Sequence, residues 1–494
     1  MRTLTRITHA VAVGFAALSA GCQKPVHFPA DLSKAAAEAS QAAAAYDADH
    51  DGKADFFLYA EPTGRVDRIA YDNDGDEKPD VLINLDAIEF GRCRHLVIIL
   101  DGFGYDLLKE YYDAGGLRMC FPPSRVIAPY PTLTDPCMED ILGYIPCRGF
   151  EAACFDRKRN RTIGGKNDYL AGKNEPYNRL LQYRAKMIWD AIGYLYPEAV
   201  FGKEINDAKR LFDRRATQEV LAYFVSSAGV GTRSGADGQR GCLRRIERFV
   251  NQVLYETRGQ TKITLLADHG HSYQPAQRIE LEKHLKQAGW RLRDRLDKPQ
   301  DVVYVRFGLV TYASFATRRS RKLAEDLISC EGVELASYAD ADRVVVLGRN
   351  GGRAIITRSG RGYSYQPTSG DPLELRRILA TLQHDESGAI DADALLKATA
   401  KHKYPAPLQR LWRAHFALVE NCPDVIISLE DRFYSGLKSF AGSVSIASTH
   451  GGLNYRNSVT FIMTTAGPLP EVMRSADISK SMKQLTGENF PMRK

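Results

Sequence analysis

No run of lysine and arginine with interleaved aromatics occurs anywhere in the 494 residues, so nucleic-acid binding lacks its usual sequence footprint. No CxxC pair and no Cys/His spacing of the zinc-finger kind is present, which excludes structural zinc as the organiser of the fold. The apolar stretch near the N-terminus, Ala10 to Leu18, is too short to span a bilayer. Charge of one sign is scarce too. The formal balance is +7, or +5 once Arg2 and Arg6 are taken away with a leader. With 44% hydrophobic and 26% charged residues, the chain is of ordinary globular composition and long enough for two or three domains.

The N-terminus reads as an address. Arg2 and Arg6 form a basic region ahead of the apolar stretch, and Leu18-Ser-Ala-Gly-Cys22 resembles a bacterial lipobox. The expectation is a signal peptide over 1–21, lipidation of Cys22, and export to the cell envelope with a membrane anchor. An Ala-rich linker over 22–45 would follow. Export alters the reading of the other eight cysteines, four of which crowd into residues 120 to 154. Some could pair in an oxidising compartment, and others could be buried thiols.

A repeat comes next. Asp47, Asp49, Asp51 and Asp55 recur 25 residues later as Asp72, Asp74, Asp76 and Asp80, each set preceded by a tyrosine. Acids at i, i+2, i+4 and i+8 let one loop converge several oxygens on a hard cation. No glutamate stands twelfth as in an EF-hand. The expectation is a structural Ca²⁺ site in each copy, within a module over 46–90. Phe56–Ala60 and Val66–Ala70 flank Glu-Pro-Thr-Gly, a hairpin signal.

The body opens on His95-Leu-Val-Ile-Ile-Leu100, an apolar run that reads as a buried strand and ends on Asp101-Gly102. A helical segment and a Pro-rich loop bearing Thr132 and Thr134 follow. Lys262–Ala267 is a second such strand, ending in Asp268-His269-Gly270-His271. A third, Val459–Met463, follows Ser448-Thr449-His450-Gly451-Gly452-Leu453. Carboxylates at the carboxyl ends of parallel strands lie where open α/β sheets bind ligands.

Together, Asp101-Gly102-Phe103, Tyr130-Pro-Thr132-Leu-Thr134-Asp-Pro136, Asp268-His269-Gly270 and Thr449-His450-Gly451 resemble the alkaline phosphatase superfamily, most closely its nucleotide pyrophosphatase/phosphodiesterase branch. The motifs keep that family's order across residues 95 to 465. The resemblance implies an α/β fold: a mixed sheet flanked by helices on both faces, with an α+β cap insert. It divides the body into a first core part over 91–300, the insert over 301–415 and a second core part over 416–494. It implies a phosphoric ester hydrolase with Thr134 as nucleophile and Asp101, Thr134, Asp268 and His269 as ligands of Zn²⁺ or Mn²⁺. It also implies His450 as a further metal ligand. The expected substrate is a phosphate-ester small molecule or a lipid or nucleotide headgroup. A sulfate ester is disfavoured, because no C-x-P-x-R loop stands at Thr134.

Three positions depart from the pattern. Cys137 stands where the branch often has Asn, and Ala228 and Thr232 stand where an Asp and a His of the second metal site are expected. Ala has no donor atom, and a Thr hydroxyl is a poor substitute for imidazole. One complete four-ligand site therefore remains, and His450, or less readily His271, becomes available as acid or base. A single-metal phosphotransferase and a catalytically silent, metal-containing binding protein are the alternatives.

The insert region alternates strand and helix signals: Val302–Val305, a helix from Arg319 to Ile328, and a hairpin of Arg343–Leu347 and Ala354–Thr357 about Arg-Asn-Gly-Gly. Arg318, Arg319, Arg321 and Lys322 read as a solvated face, with an anionic-substrate wall as the lesser option. Val425–Leu429 is expected to return the chain to the core sheet.

Overall fold

A computed structural model describes residues 44–492 except 48–50, 144–145, 172, 174, 187–188, 190–192, 194, 307 and 437–444. The leader, Cys22 and Asp49 lie outside the described residues. The chain divides into two units. The smaller one includes the Asp-rich loops, in the segments up to Leu58 and Ala70–Leu82; the larger one takes Tyr59–Ile69 and Ile83 onward.

In the smaller unit, Ala44–Tyr46 pairs antiparallel with Phe56–Leu58. Ala44 and Ala45, expected to be linker, are thus strand residues. The hairpin turn expected at Glu-Pro-Thr-Gly is present in the larger unit, with Glu61 N–H on the Arg65 carbonyl at 2.8 Å and Gly64 at φ +82°.

The larger unit holds a seven-stranded mixed sheet. Its spatial order is Val472–Arg474, Ser124–Ile127, Val459–Thr464, Thr261–Ala267, Arg94–Leu100, Glu219–Phe224, Tyr183–Arg184. We label the strands that bear on the site β1 (Arg94–Leu100), β2 (Glu219–Phe224), β3 (Thr261–Ala267) and β4 (Val459–Thr464). β1 lies between β2 and β3 and is parallel to both, while β4 runs antiparallel beside β3. These strands are buried at every position except Arg94. That pattern requires both faces of the sheet to be covered, which explains why their sequences are continuous apolar runs rather than alternating ones.

Among the helices, α1 (Tyr105–Asp113) follows β1, α2 (Thr134–Leu142) carries the Pro-rich loop into the body, and α3 (Ser226–Glu256) follows β2. Leu243 to Leu254 reads as a helix in the sequence, whereas Ser226-Ser-Ala-Gly-Val-Gly-Thr-Arg-Ser-Gly235 is rich in poor helix formers. Helix begins earlier because those small residues are buried, and it breaks once, at Gly235 with φ 59°. Packing overrides propensity there.

A second sheet of nine strands spans Arg291–Leu292 to Val425–Leu429. Alternate residues of its strands serve opposite faces. Val425 and Ile427 join Leu323 and Leu327 in one apolar cluster; Ile426 joins Leu408 and Leu411 in another. Val425–Leu429 lies here, between Tyr312–Thr317 and Val333–Asp340, and not in the core sheet as expected. An apolar run states that a strand is buried, not which sheet buries it. The expected helix is Ser320–Leu327, and the Arg-Asn-Gly-Gly hairpin joins Arg343–Gly348 to Arg353–Ser359. The eight described cysteines are all free thiols, seven of them buried. No helix among the described residues is long and apolar enough to cross a membrane.

Candidate metal centre

Parallel register sets the site. Leu100 lies opposite both Phe224 and Ala267, so β1, β2 and β3 end level with one another. Asp101 and Asp268 therefore leave neighbouring strands at the same height. Gly102 turns the chain at φ +61°, and its N–H donates to Asp268 Oδ1 at 2.9 Å. A Cβ at Gly102 would lie 3.1 Å from His271 Cδ2 and 3.2 Å from His269 Cε1, so glycine is needed for space as well as for conformation.

Asp101, Asp268 and His269 are all buried, and one ligand atom of each lies within 4.8 Å of the others. His269 Nε2 is 3.6 Å from Asp101 Oδ1 and 3.6 Å from Asp268 Oδ2. The remaining atoms of these side chains are committed elsewhere. Tyr223 Oη donates to Asp101 Oδ2 at 2.8 Å, and Gly102 and His269 N–H groups donate to Asp268 Oδ1. His269 Nδ1 lies 2.9 Å from the Gly270 carbonyl, which can only accept. The proton is therefore on Nδ1, and the Nε2 lone pair faces the two carboxylates. Asp268 Oδ2 and His269 Nε2 are buried with no hydrogen-bond partner. Buried polar atoms of this kind are rare without an ion or water to satisfy them.

The electrostatics agree. Burial pushes the Asp268 carboxyl up to about 7, although the Gly102 and His269 N–H groups bonded to it and the nearby Thr134 hydroxyl pull the other way. Burial brings His269 down to about 4. Without a cation this pocket disfavours the charge that it is shaped to carry. Two oxygens and one imidazole nitrogen suit Zn²⁺ or Mn²⁺, with the Thr134 hydroxyl adjacent at the N-terminal end of α2.

Thr132 locks the Thr134 loop to the His450 loop. Its N–H reaches the Gly451 carbonyl, its hydroxyl accepts from Gly451 N–H at 2.9 Å, and its carbonyl lies 3.0 Å from His450 Nδ1. The His450 ring stacks on His269 with centroids 4.1 Å apart, but its nitrogens do not join the close donor group. Burial and the neighbouring His269 hold His450 well below the usual imidazole range. His271 is fully buried, bonded through Nδ1 to Ser448 Oγ, and its Nε2 has no partner.

Of the three departures, Ala228 is placed most directly. A Cβ at Gly102 would meet the Ala228 methyl at 3.4 Å, so Ala228 does face the centre while contributing no donor. Thr232 is buried one turn further along α3. Burial, then the nearby Asp268, drives the Cys137 thiol well above its usual range.

Sequence reasoning missed Tyr223 and Gln239. Gln239 Nε2 donates to the Gly102 carbonyl at 2.8 Å and to the Ser227 carbonyl, while its Oε1 accepts from Tyr273 Oη. Tyr223 belongs to an apolar strand, and nothing in its neighbours marks it; only the register beside β1 does.

In the smaller unit, Asp72, Asp74 and Asp80 bring carboxylate oxygens within 4.8 Å of one another. Asp72 accepts N–H bonds from Asp74, Gly75 and Glu77, which outweigh burial and keep its carboxyl below the usual range. Asp76 instead accepts from Lys78. In the first copy, of which Asp49 lies outside the described residues, Asp47 accepts from Gly52 N–H and Asp51 from Lys53 N–H.

No protein-family profile matches the sequence, and no curated protein matches it. Solved structures do. Human ectonucleotide pyrophosphatase/phosphodiesterase 5 matches at 12% identity and TM-score 0.45, over 81% of this chain and 96% of that one. The murine protein matches at 13% identity and TM-score 0.44, over 81% and 97%. An inactive form of the murine protein in complex with AMP matches at 14% and 0.43, over 81% and 97%.

Proposed function

We propose that the chain is a metal-dependent phosphoric ester hydrolase of the phosphodiesterase or phosphatase type, working on one divalent cation. The observation that carries this reading is the buried trio of Asp101, Asp268 and His269, with Asp268 Oδ2 and His269 Nε2 turned toward one another without partners. Thr134 completes the donor set. A divalent cation held by these residues supplies Lewis acidity at a hydroxyl and at a phosphoryl oxygen.

The remaining work falls to the chain. Asp268 stands beside the Thr134 hydroxyl and orients its oxygen. Thr134 Oγ1 attacks phosphorus, the ester oxygen leaves, and water later releases the phosphothreonine. His450 keeps its proton on Nδ1, against the Thr132 carbonyl, and offers a neutral Nε2 to take or return a proton. Ser227 Oγ on the Asp101 carbonyl and Gln239 on the Gly102 carbonyl hold the turn in place. The ligand class is a phosphate-ester small molecule or a lipid or nucleotide headgroup. Export and anchoring through Cys22 belong to the same proposal and are tested by fatty-acid labelling of the mature protein.

The experiment is turnover of bis-p-nitrophenyl phosphate and p-nitrophenyl phosphate by purified protein with Zn²⁺ or Mn²⁺, beside Thr134→Ala. Turnover no greater than that of the variant with every metal overturns the reading. Ala228, Thr232 and Cys137 favour a second one, a silent relative that keeps its cation and binds ligand without turnover. Metal uptake with no hydrolysis supports that reading.

A further inference from the structure

The sequence has no basic run, yet the fold assembles a basic face. Three separate stretches meet at Leu296, which is 2% exposed. Asn160, at the tip of the Ala153–Gly164 hairpin, accepts from Leu296 N–H at 2.9 Å and donates to its carbonyl. Arg318 Nη2 donates to the same carbonyl at 2.8 Å.

The hairpin tip brings Arg157, Lys158, Arg159 and Arg161, all exposed. The Leu296 loop brings Arg293, Arg295 and Lys298, also exposed, and the third stretch adds Arg318 and Arg319. Only two exposed carboxylates, Asp294 and Asp297, belong to these stretches. Nearby Asp156, Asp301 and Asp424 are turned inward. Asp301 is 0% exposed and accepts N–H bonds from Asp297 and Lys298, Asp424 accepts Thr317 N–H and pairs with Arg157, and Asp156 pairs with Arg159. Nine exposed cations stand against two exposed acids, and a surplus of cations remains when the three inward carboxylates are counted.

The hairpin also lines a cavity of about 1260 Å³. Arg148 and Arg161 stand among its walls with Asp168 and Glu420, and Phe150, Val305 and Phe416 give it an apolar surface. Cations bordering apolar space match an amphiphile with an acidic head. They do not match single-stranded nucleic acid, which needs exposed aromatic stacking surfaces; no exposed large aromatic or aliphatic side chain lies on this face among the described residues.

We propose that this face docks on a bilayer carrying anionic phospholipid, with the cavity beside it open to part of a lipid. Juxtaposed cations hold such surfaces through the negative surface potential, an attraction that weakens as salt rises. This inference does not depend on catalysis.

The test is co-sedimentation of the chain carrying Cys22→Ser, so that no acyl anchor contributes, with phosphatidylcholine vesicles and with vesicles containing phosphatidylglycerol. Expected is binding to the anionic vesicles alone, lost at high salt. The variant Lys158→Glu/Arg161→Glu/Arg293→Glu/Arg295→Glu should bind at least on the order of a thousandfold more weakly, with an unchanged melting temperature. If it fails to fold, Lys158→Gln/Arg161→Gln tests the same point with a smaller loss. Equal binding to neutral vesicles, or undiminished binding by a folded variant, overturns the proposal. So does tighter binding to DNA than to anionic vesicles at the same salt.

Discussion

Replacing Asp268 by asparagine should stabilise the metal-free protein while abolishing its response to metal. The side chain is 0% exposed, and its carboxyl is raised from 3.8 to about 7 mainly by burial. Below pH ~4 the group is protonated in both folded and unfolded chains and contributes nothing. As pH rises, the unfolded chain ionises first, so the folded state loses stability until about pH 7 and holds that deficit above it. Roughly three pH units at 1.36 kcal/mol each give a cost of about 4 kcal/mol at pH 8. With an unfolding entropy of about 2.1 cal/mol/K per residue, a chain of 494 residues shifts by about 1 °C per kcal/mol. EDTA-treated Asp268→Asn should therefore melt up to about 4 °C above the EDTA-treated parent at pH 8, and the gap should close toward pH 4. His269, lowered to about 4 by burial, runs the other way, costing stability as pH falls from 6.5. That slope is common to both proteins and cancels in the difference. With Zn²⁺ or Mn²⁺ the parent should gain stability and the variant should not. Differential scanning calorimetry over pH 4 to 8 reads all of this. A variant that melts no higher in EDTA, or that still gains from metal, refutes the assignment of Asp268 as a buried ligand.

Thr134→Ala should lower kcat by on the order of a thousandfold or more with little change in melting temperature, read by steady-state hydrolysis of the two nitrophenyl esters. Gly102→Ala forces a side chain into a left-handed position against His271 and His269 and should cost about 1–3 kcal/mol in calorimetry, with weakened metal uptake. Asp72→Asn should remove the Ca²⁺-induced rise in stability of the parent, about 2.7 kcal/mol at a hundredfold excess over Kd; a parent indifferent to Ca²⁺ would dismiss that site. Ala228→Asp with Thr232→His should raise the metal count at the centre from one toward two by elemental analysis, because Ala228 already faces Gly102.

The strands that carry Asp101 and Asp268 were legible because burial on both faces writes them as unbroken apolar runs, each halted by a carboxylate. Their adjacency was not written in the residues. It follows from Leu100 standing opposite Ala267, a register that only the folded sheet supplies. The same limit placed Val425–Leu429 in the wrong sheet and hid Tyr223, whose hydroxyl fixes Asp101 from the neighbouring strand. Charge shows the limit most clearly. Arg318 and Arg319 read as a solvated face, and nothing in the sequence ties them to Arg157 to Arg161 or Arg293 to Lys298, up to about 160 residues away. Two hydrogen-bonding side chains on one buried leucine, Asn160 and Arg318, make them a single surface. Chemistry that depends on a residue's own strand end can be read along the chain, as the motif residues of the candidate metal centre were; chemistry that depends on who stands beside it needs the fold, and the basic face is of that kind.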